Sequence, residues 1–241
     1  MQKSNKNKLL YFKVLVCLCI LFFKQVHAQY GTQSGDWVSY GGDTGSTKYS
    51  PLDQITPQNF EELEVAWTWT SIDAELDLEA IQEINEAVRI NNFQGTPLKV
   101  GDRLFIITAL NQVAALNPIT GETLWSFNPE VYLSGSPINY IGYHNRGLAY
   151  WSDGENERIL AGLNDGYLLS LDASTGLPDP EFGGGKIDLA DGLPRATRDV
   201  LDWTGAQPLA VVSPPIVVGN IVVTSSITQA RPINRERPPM W

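Results

Sequence analysis

Asn145-Arg146-Gly147-Leu148-Ala149-Tyr150-Trp151 sets one arginine ahead of a glycine and an apolar, aromatic run. A guanidinium there offers planar, forked N–H donors and a permanent positive charge, suited to oxygen atoms of a small ligand. By composition alone the segment reads more simply as a surface or ion-paired arginine beside a core Tyr-Trp pair. Gln94, in Phe93-Gln94-Gly95-Thr96-Pro97, and Ser226, in Thr224-Ser225-Ser226-Ile227, read by themselves as a turn side chain and a strand-end hydroxyl. His144 has no His, Cys or acid cluster at ligand spacing, so it is expected in a surface or loop position. No metal ligand and no catalytic residue is assigned. No Gly-x-Gly-x-x-Gly lies between a strand and a helix, which removes support for a nicotinamide site. Gly183-Gly184-Gly185 lacks the lysine of a phosphate loop, and no nucleophile elbow supports Ser-His-Asp hydrolysis.

The elements that position these residues come from a repeat. Arg103–Gly121 (RLFIITALNQVAALNPITG) and Arg158–Gly176 (RILAGLNDGYLLSLDASTG) align at an offset of 55 residues, with Asn117 on Asp172 and Thr120-Gly121 on Thr175-Gly176. Pro97-Leu-Lys-Val-Gly-Asp echoes Pro215-Ile-Val-Val-Gly-Asn at a shift of 118. Self-similar units of this length, built from short strands and turn residues, mark a propeller or similar β array. The first unit reads as four strands: Leu98–Val100, a Gly101-Asp102 turn, Leu104–Thr108, Val113–Leu116, a turn at 117–121, and Leu124–Phe127. The second runs from about Gly147 to Phe182, and the third begins at Pro214 and continues through Ile221–Thr224. Upstream, Leu63, Val65, Trp67 and Trp69 alternate and predict a strand. Ile81, Ile84 and Val88 predict a short amphipathic helix. A third unit short of its last strands would leave an unpaired edge, so the chain is expected to be the N-terminal part of a longer one, or to need a partner.

Composition narrows the function classes. Four lysines precede an apolar run from Val14 to Phe23, and Val26-His27-Ala28 places small residues at −3 and −1: a secretory signal peptide over 1–28, cleaved near Ala28. Its removal takes away five lysines and no acid, leaving 12 basic against 27 acidic residues, a charge of about −15. Nucleic acid and anionic membranes are poor partners for such a chain. Cys17 and Cys19 leave as well, so disulfides contribute nothing to the mature protein.

The run Ala115-x-Asn117-x-x-Thr120-Gly121-x-x-x-Trp125 resembles the tryptophan-docking motif of quinoprotein dehydrogenases that use pyrroloquinoline quinone (PQQ), with Asn117 where that family has Asp. Arg146-Gly147-x-Ala149-Tyr150-Trp151 is similar to the family's segment in which an arginine faces the quinone, and DWVSYGGDTGSTKYSPLDQI resembles its start. The resemblance implies an all-β propeller of four-stranded blades, with residues 29–241 supplying about two and a half to three of eight. It implies an exported, periplasmic enzyme oxidising an alcohol, polyol or sugar by hydride transfer to PQQ. Gln94, Arg146 and Ser226 would line the cofactor, a Ca²⁺ would take its ligands mostly from outside this sequence, and a quinone or cytochrome would accept electrons. The general base, an Asp, would lie beyond Trp241. Tyr143-His144 replaces the family's frequent adjacent-cysteine pair, and Thr228-Gln229 stands where the alcohol-oxidising branch has a Ca²⁺-binding Glu. Both departures resemble the glucose and polyol branch. The competing expectation is a propeller of the same repeats without cofactor, serving as a protein-binding scaffold in outer-membrane assembly.

Overall fold

The structure, a computed structural model, describes residues 32, 35–135, 142–192 and 209–228. The expected signal peptide lies outside the described residues. Two antiparallel four-stranded sheets carry the repeat. Blade 1 is β1 (Leu98–Val100), β2 (Arg103–Ile107), β3 (Val113–Leu116) and β4 (Thr123–Phe127), paired in chain order. Blade 2 is β5 (Ala149–Ser152), β6 (Glu157–Gly162), β7 (Tyr167–Asp172) and β8 (Lys186–Asp188), paired in the same order. The third unit supplies two pairs. β9 (Leu209–Ala210) pairs with β12 (Ile227–Thr228), and β10 (Ile216–Val218) forms a hairpin with β11 (Ile221–Val223). The all-β propeller reading therefore holds.

Each central strand buries both faces, which explains its unbroken apolar sequence. In blade 1, Leu104, Ile106, Ala114 and Leu116 share one face and meet Trp67, Trp69 and Ile72. Phe105, Ile107, Val113 and Ala115 share the other, in one cluster with Leu148, Ile159, Ala161, Leu169 and Leu171 of blade 2. Period-2 alternation thus sorts side chains between two neighbours rather than between core and water. Large residues oppose small ones across the ladder, as in Phe105 against Ala115, so the layers interdigitate.

The turns after β3 and β7 are built alike. Asn117 Oδ1 accepts from the N–H groups of Ile119 and Thr120 at 2.8 and 3.2 Å, and Asp172 Oδ1 accepts from those of Ser174 and Thr175 at 3.0 and 2.9 Å. Asn and Asp close this turn equally well, because each offers a carbonyl-type oxygen. The glycine that follows has φ of +74° at Gly121 and +72° at Gly176. An indole lies flat on each. A Cβ on Gly121 would fall 2.5 Å from the Trp67 ring, and one on Gly176 would fall 2.5 Å from the Trp125 ring. Trp67 Nε1 donates to Pro118 O at 3.2 Å and Trp125 Nε1 to Ala173 O at 3.1 Å. Each tryptophan therefore fastens its own layer to the turn of the next.

Three expectations need correction. Leu63–Trp69 is extended but joins no ladder: no backbone partner strand lies beside it among the described residues, and its indoles alone hold it. The predicted helix exists as α1 (Leu78–Ile84) with Ile81 buried, yet Ile84 is 71% exposed, because the helix ends there and Val88 reaches the core from the following turn. Blade 2 does not stop at Phe182. Its outer strand, β8, follows the Gly183–Gly185 turn and pairs with β7 through Lys186–Asp188. Among the described residues no helix is long and apolar enough to cross a membrane.

Candidate functional site

The first strands of the three units start side by side. Ladder register makes Leu98, opposite Phe105, the counterpart of Ala149, opposite Leu160. Counting back, Gly95 corresponds to Arg146 and Thr96 to Gly147, and an isolated parallel bridge joins Thr96 to Gly147. The Thr96 N–H donates to the Arg146 carbonyl at 2.9 Å, while the Arg146 N–H donates to the Val212 carbonyl at 3.1 Å. The peptide carrying Arg146 is thus tied to unit 1 on one side and unit 3 on the other. Gly147 adopts φ of +152°, and a Cβ there would stand 3.2 Å from the Thr96 carbonyl, 3.4 Å from Pro214 and 3.6 Å from the Tyr40 ring. Only glycine fits so close an approach of three segments.

The sequence-derived candidates fall on these segments. Gln94 is exposed, two residues before Thr96, and its amide donates to Asn92 Oδ1 at 2.8 Å. Ser226 is exposed, one residue before β12, whose Ile227 pairs with Ala210 just upstream of Val212. Arg146 is exposed, and its guanidinium has no ion pair or hydrogen bond among the described residues. Lys99, Arg103 and Arg158 are all paired with carboxylates. Lys48, Arg89 and Lys186 likewise lack a carboxylate partner among the described residues, so what distinguishes Arg146 is the fixed peptide that carries it. No hydrogen bond links the three candidate side chains to one another. What the fold brings together is the entries of β1 and β5, bearing an amide and a cation, while Ser226 lies between β11 and β12, next to the strand that pairs with β9 just upstream of Val212.

His144 lies in the loop before β5, one of the two positions expected for it, but its side chain is buried rather than on the surface. Its N–H donates to Asn164 Oδ1 at 2.9 Å, and its Nδ1 lies 3.1 Å from the Gly142 carbonyl. Tyr143 is fully buried, donates its hydroxyl to the Gly135 carbonyl and accepts from Asn85 Nδ2 at 3.0 Å. Burial pushes its phenol up to about 12, against the lowering effect of the Asn85 bond. Two residues that spacing did not single out complete the surroundings. Asn145 and Asn164 are both buried and hydrogen-bonded at each end of their side chains. The available signal was turn chemistry: Asn164 opens an Asn-Asp-Gly turn two residues after β6 ends. Among the described residues no group of three or more His, Cys, Asp or Glu is placed to hold a metal.

Residues 37–239 match the family described as PQQ glucose/ethanol/alcohol dehydrogenase, β-propeller domain. The chain belongs to this family. The glycerol dehydrogenase large subunit of Gluconobacter thailandicus is 30% identical over 203 residues, covering 80% of this chain and 25% of the relative. Quinoprotein glucose dehydrogenase A of Acinetobacter calcoaceticus is 30% identical over 219 residues, covering 82% and 25%. The chain therefore spans about a quarter of the length of these relatives. Among solved structures, the quinohemoprotein alcohol dehydrogenase of Comamonas testosteroni shares the fold, with a TM-score of 0.59, 22% identity and coverage of 83% of this chain and 24% of the other.

Proposed function

We propose that this chain is the N-terminal part of an exported quinoprotein dehydrogenase that oxidises a polyol or sugar with PQQ. The observation that carries the reading is Arg146: a peptide fixed between units 1 and 3, a guanidinium left without an acid partner, and a PQQ-family sequence around it. The donor set fits the cofactor, because PQQ is rimmed by carboxylate and quinone oxygens and all three candidate side chains donate hydrogen bonds. When bound, PQQ supplies the two-electron acceptor for the hydride of a CH–OH donor. Arg146 would grip oxygen atoms with forked donors and offset negative charge that develops there, a stabilisation that strengthens where water is excluded. Gln94 would turn its amide from Asn92 to the same rim, and Ser226 would add a hydroxyl. Proton abstraction from the substrate is assigned to no described residue. Ca²⁺ and a quinone or cytochrome acceptor complete the proposal. The polyol and sugar preference is supported by Tyr143-His144 and by Thr228-Gln229, while relatives named for alcohols match as well as those named for glycerol and glucose.

The test uses full-length protein purified without cofactor and titrated with PQQ and Ca²⁺. Dye reduction is followed against alcohols, polyols and aldoses. Saturable, PQQ-dependent turnover is expected. No PQQ binding with any divalent metal would remove the enzyme reading and leave a propeller used for recognition.

A further inference from the structure

We propose that Asn145 is a positioning residue: its carboxamide braces the turn that carries Arg146 against β6 and so presents the guanidinium to the cofactor. The inference rests on the reading that PQQ binds at Arg146. Asn145 is buried, 1% exposed. Its Oδ1 accepts from the Gly147 N–H at 3.1 Å, closing a turn with Arg146 as the middle residue. Its Nδ2 donates to the carbonyl of Gly162 at the end of β6. One side chain thus holds the turn closed and anchors it to the blade. Only a carboxamide does both, since a carboxylate cannot donate, and glutamine is a methylene too long for this turn.

The rest of the segment is equally tied. The His144 N–H donates to Asn164 Oδ1, and Asn164 in turn reaches Val211 O at 3.3 Å through Nδ2 and Asn111 Oδ1 at 2.8 Å through its own N–H. The Arg146 N–H and carbonyl are engaged as well, so four backbone groups between 144 and 147 are hydrogen-bonded. The freedom of the arginine is confined to its side-chain torsions, which lowers the ordering cost of gripping a ligand.

Blade 1 shows the alternative. The counterpart of Asn145 is Gln94 and that of Gly162 is Ile107. There the chain lies directly on the strand end, so that a Cβ on Gly95 would fall 2.4 Å from the Ile107 carbonyl. Gln94 braces nothing and bonds only Asn92. Blade 2 stands its entry away from the strand, fills the gap with Asn145, and gains room for a side chain where blade 1 has glycine.

The experiment is a double-mutant cycle on full-length apoprotein, reading equilibrium PQQ affinity by quenching of protein fluorescence, without turnover. Asn145→Ala is expected to weaken PQQ about tenfold in the wild-type background and by no more than about twofold once Arg146→Ala is present. Asn145→Asp, which keeps the acceptor and loses the donor, is expected to fall between. Should Asn145→Ala fail to fold, Asn145→Asp read in both Arg146 backgrounds carries the same test. Equal weakening with and without Arg146 would make Asn145 merely structural and overturn the proposal, as would an unchanged affinity in Asn145→Ala. Wild-type protein that fails to bind PQQ would sink the functional reading itself, and this inference with it.

Discussion

Blade 1 and blade 2 agree at one end and disagree at the other. Their outer turns repeat atom for atom in logic: an Asx-closed turn, a glycine at positive φ, and a tryptophan from the preceding layer laid on it with its N–H on a turn carbonyl. Their inner entries share register and little else. Gly95 answers to Arg146, Gln94 to Asn145 and Ile107 to Gly162. Layer stacking is needed at every interface, so its residues recur. A ligand is needed once, so its residues occur once. In a repeat protein the place where the repeat fails is where chemistry is sought.

The strongest way to break this comparison is to attack both outer turns. Gly176→Ala should cost about 2–5 kcal/mol in urea unfolding, since it adds left-handed strain and lifts Trp125 off a sheet that cannot follow. Gly121→Ala should cost nearer about 2 kcal/mol, because the Trp67 segment has no ladder and can step back. Equal costs would show that the missing ladder does not matter. Next in size is the inner entry. Arg146→Ala should lower PQQ affinity about tenfold or more, a charge-assisted contact being worth about 1.5–3 kcal/mol, while unfolding of the apoprotein stays within about 0.5 kcal/mol of wild type. A large loss of stability instead would make Arg146 a structural residue like its paired neighbours. Trp125→Phe keeps most of the ring and removes the bond to Ala173, so about 1 kcal/mol of stability should go with PQQ affinity untouched.

The smallest effect is a pH dependence confined to blade 2. Tyr150 donates to Glu157 Oε1 at 2.5 Å, and its phenol is pushed up from 10.0 to about 12, first by burial and then by that bond. The neutral phenol is the form the fold favours. Its contribution is complete below pH 10 and is lost as pH rises from 10 toward 12. Tyr150→Phe should therefore flatten the alkaline limb of the stability curve, leaving the share of Tyr143. An unchanged limb would put the titration elsewhere. Blade 1 has Lys99 at the equivalent position, paired with Asp36 at 2.9 Å.

The hairpins and the 55-residue unit were legible in the sequence because turn chemistry is local: Gly101-Asp102 and Thr120-Gly121 declare themselves without their partners. Leu63–Trp69 shows the limit of alternation, which reports two faces and says nothing of an edge. β8 was missed because Lys186-Ile187-Asp188 is three half-exposed residues after three glycines, too short for a period to register. The β9–β12 pair joins two dipeptides 18 residues apart, with no pattern to read. At the site, Arg146 could be named from its neighbours in sequence. The bracing role of Asn145 could not, since its partner Gly162 is 17 residues away and contributes only a carbonyl.

The contact between Trp37 and β1 has a consequence for the nascent protein. Trp37 and Lys99 exchange both backbone hydrogen bonds, at 2.7 and 3.1 Å, along the edge of β1 that no other strand covers among the described residues. Translation delivers Trp37 about sixty residues ahead of Lys99. When the first strand emerges from the ribosome, the segment that shields its edge is already outside and tethered to it. A growing polysome holds many such edges close together, and each meets its own lead-in before it meets a neighbour's.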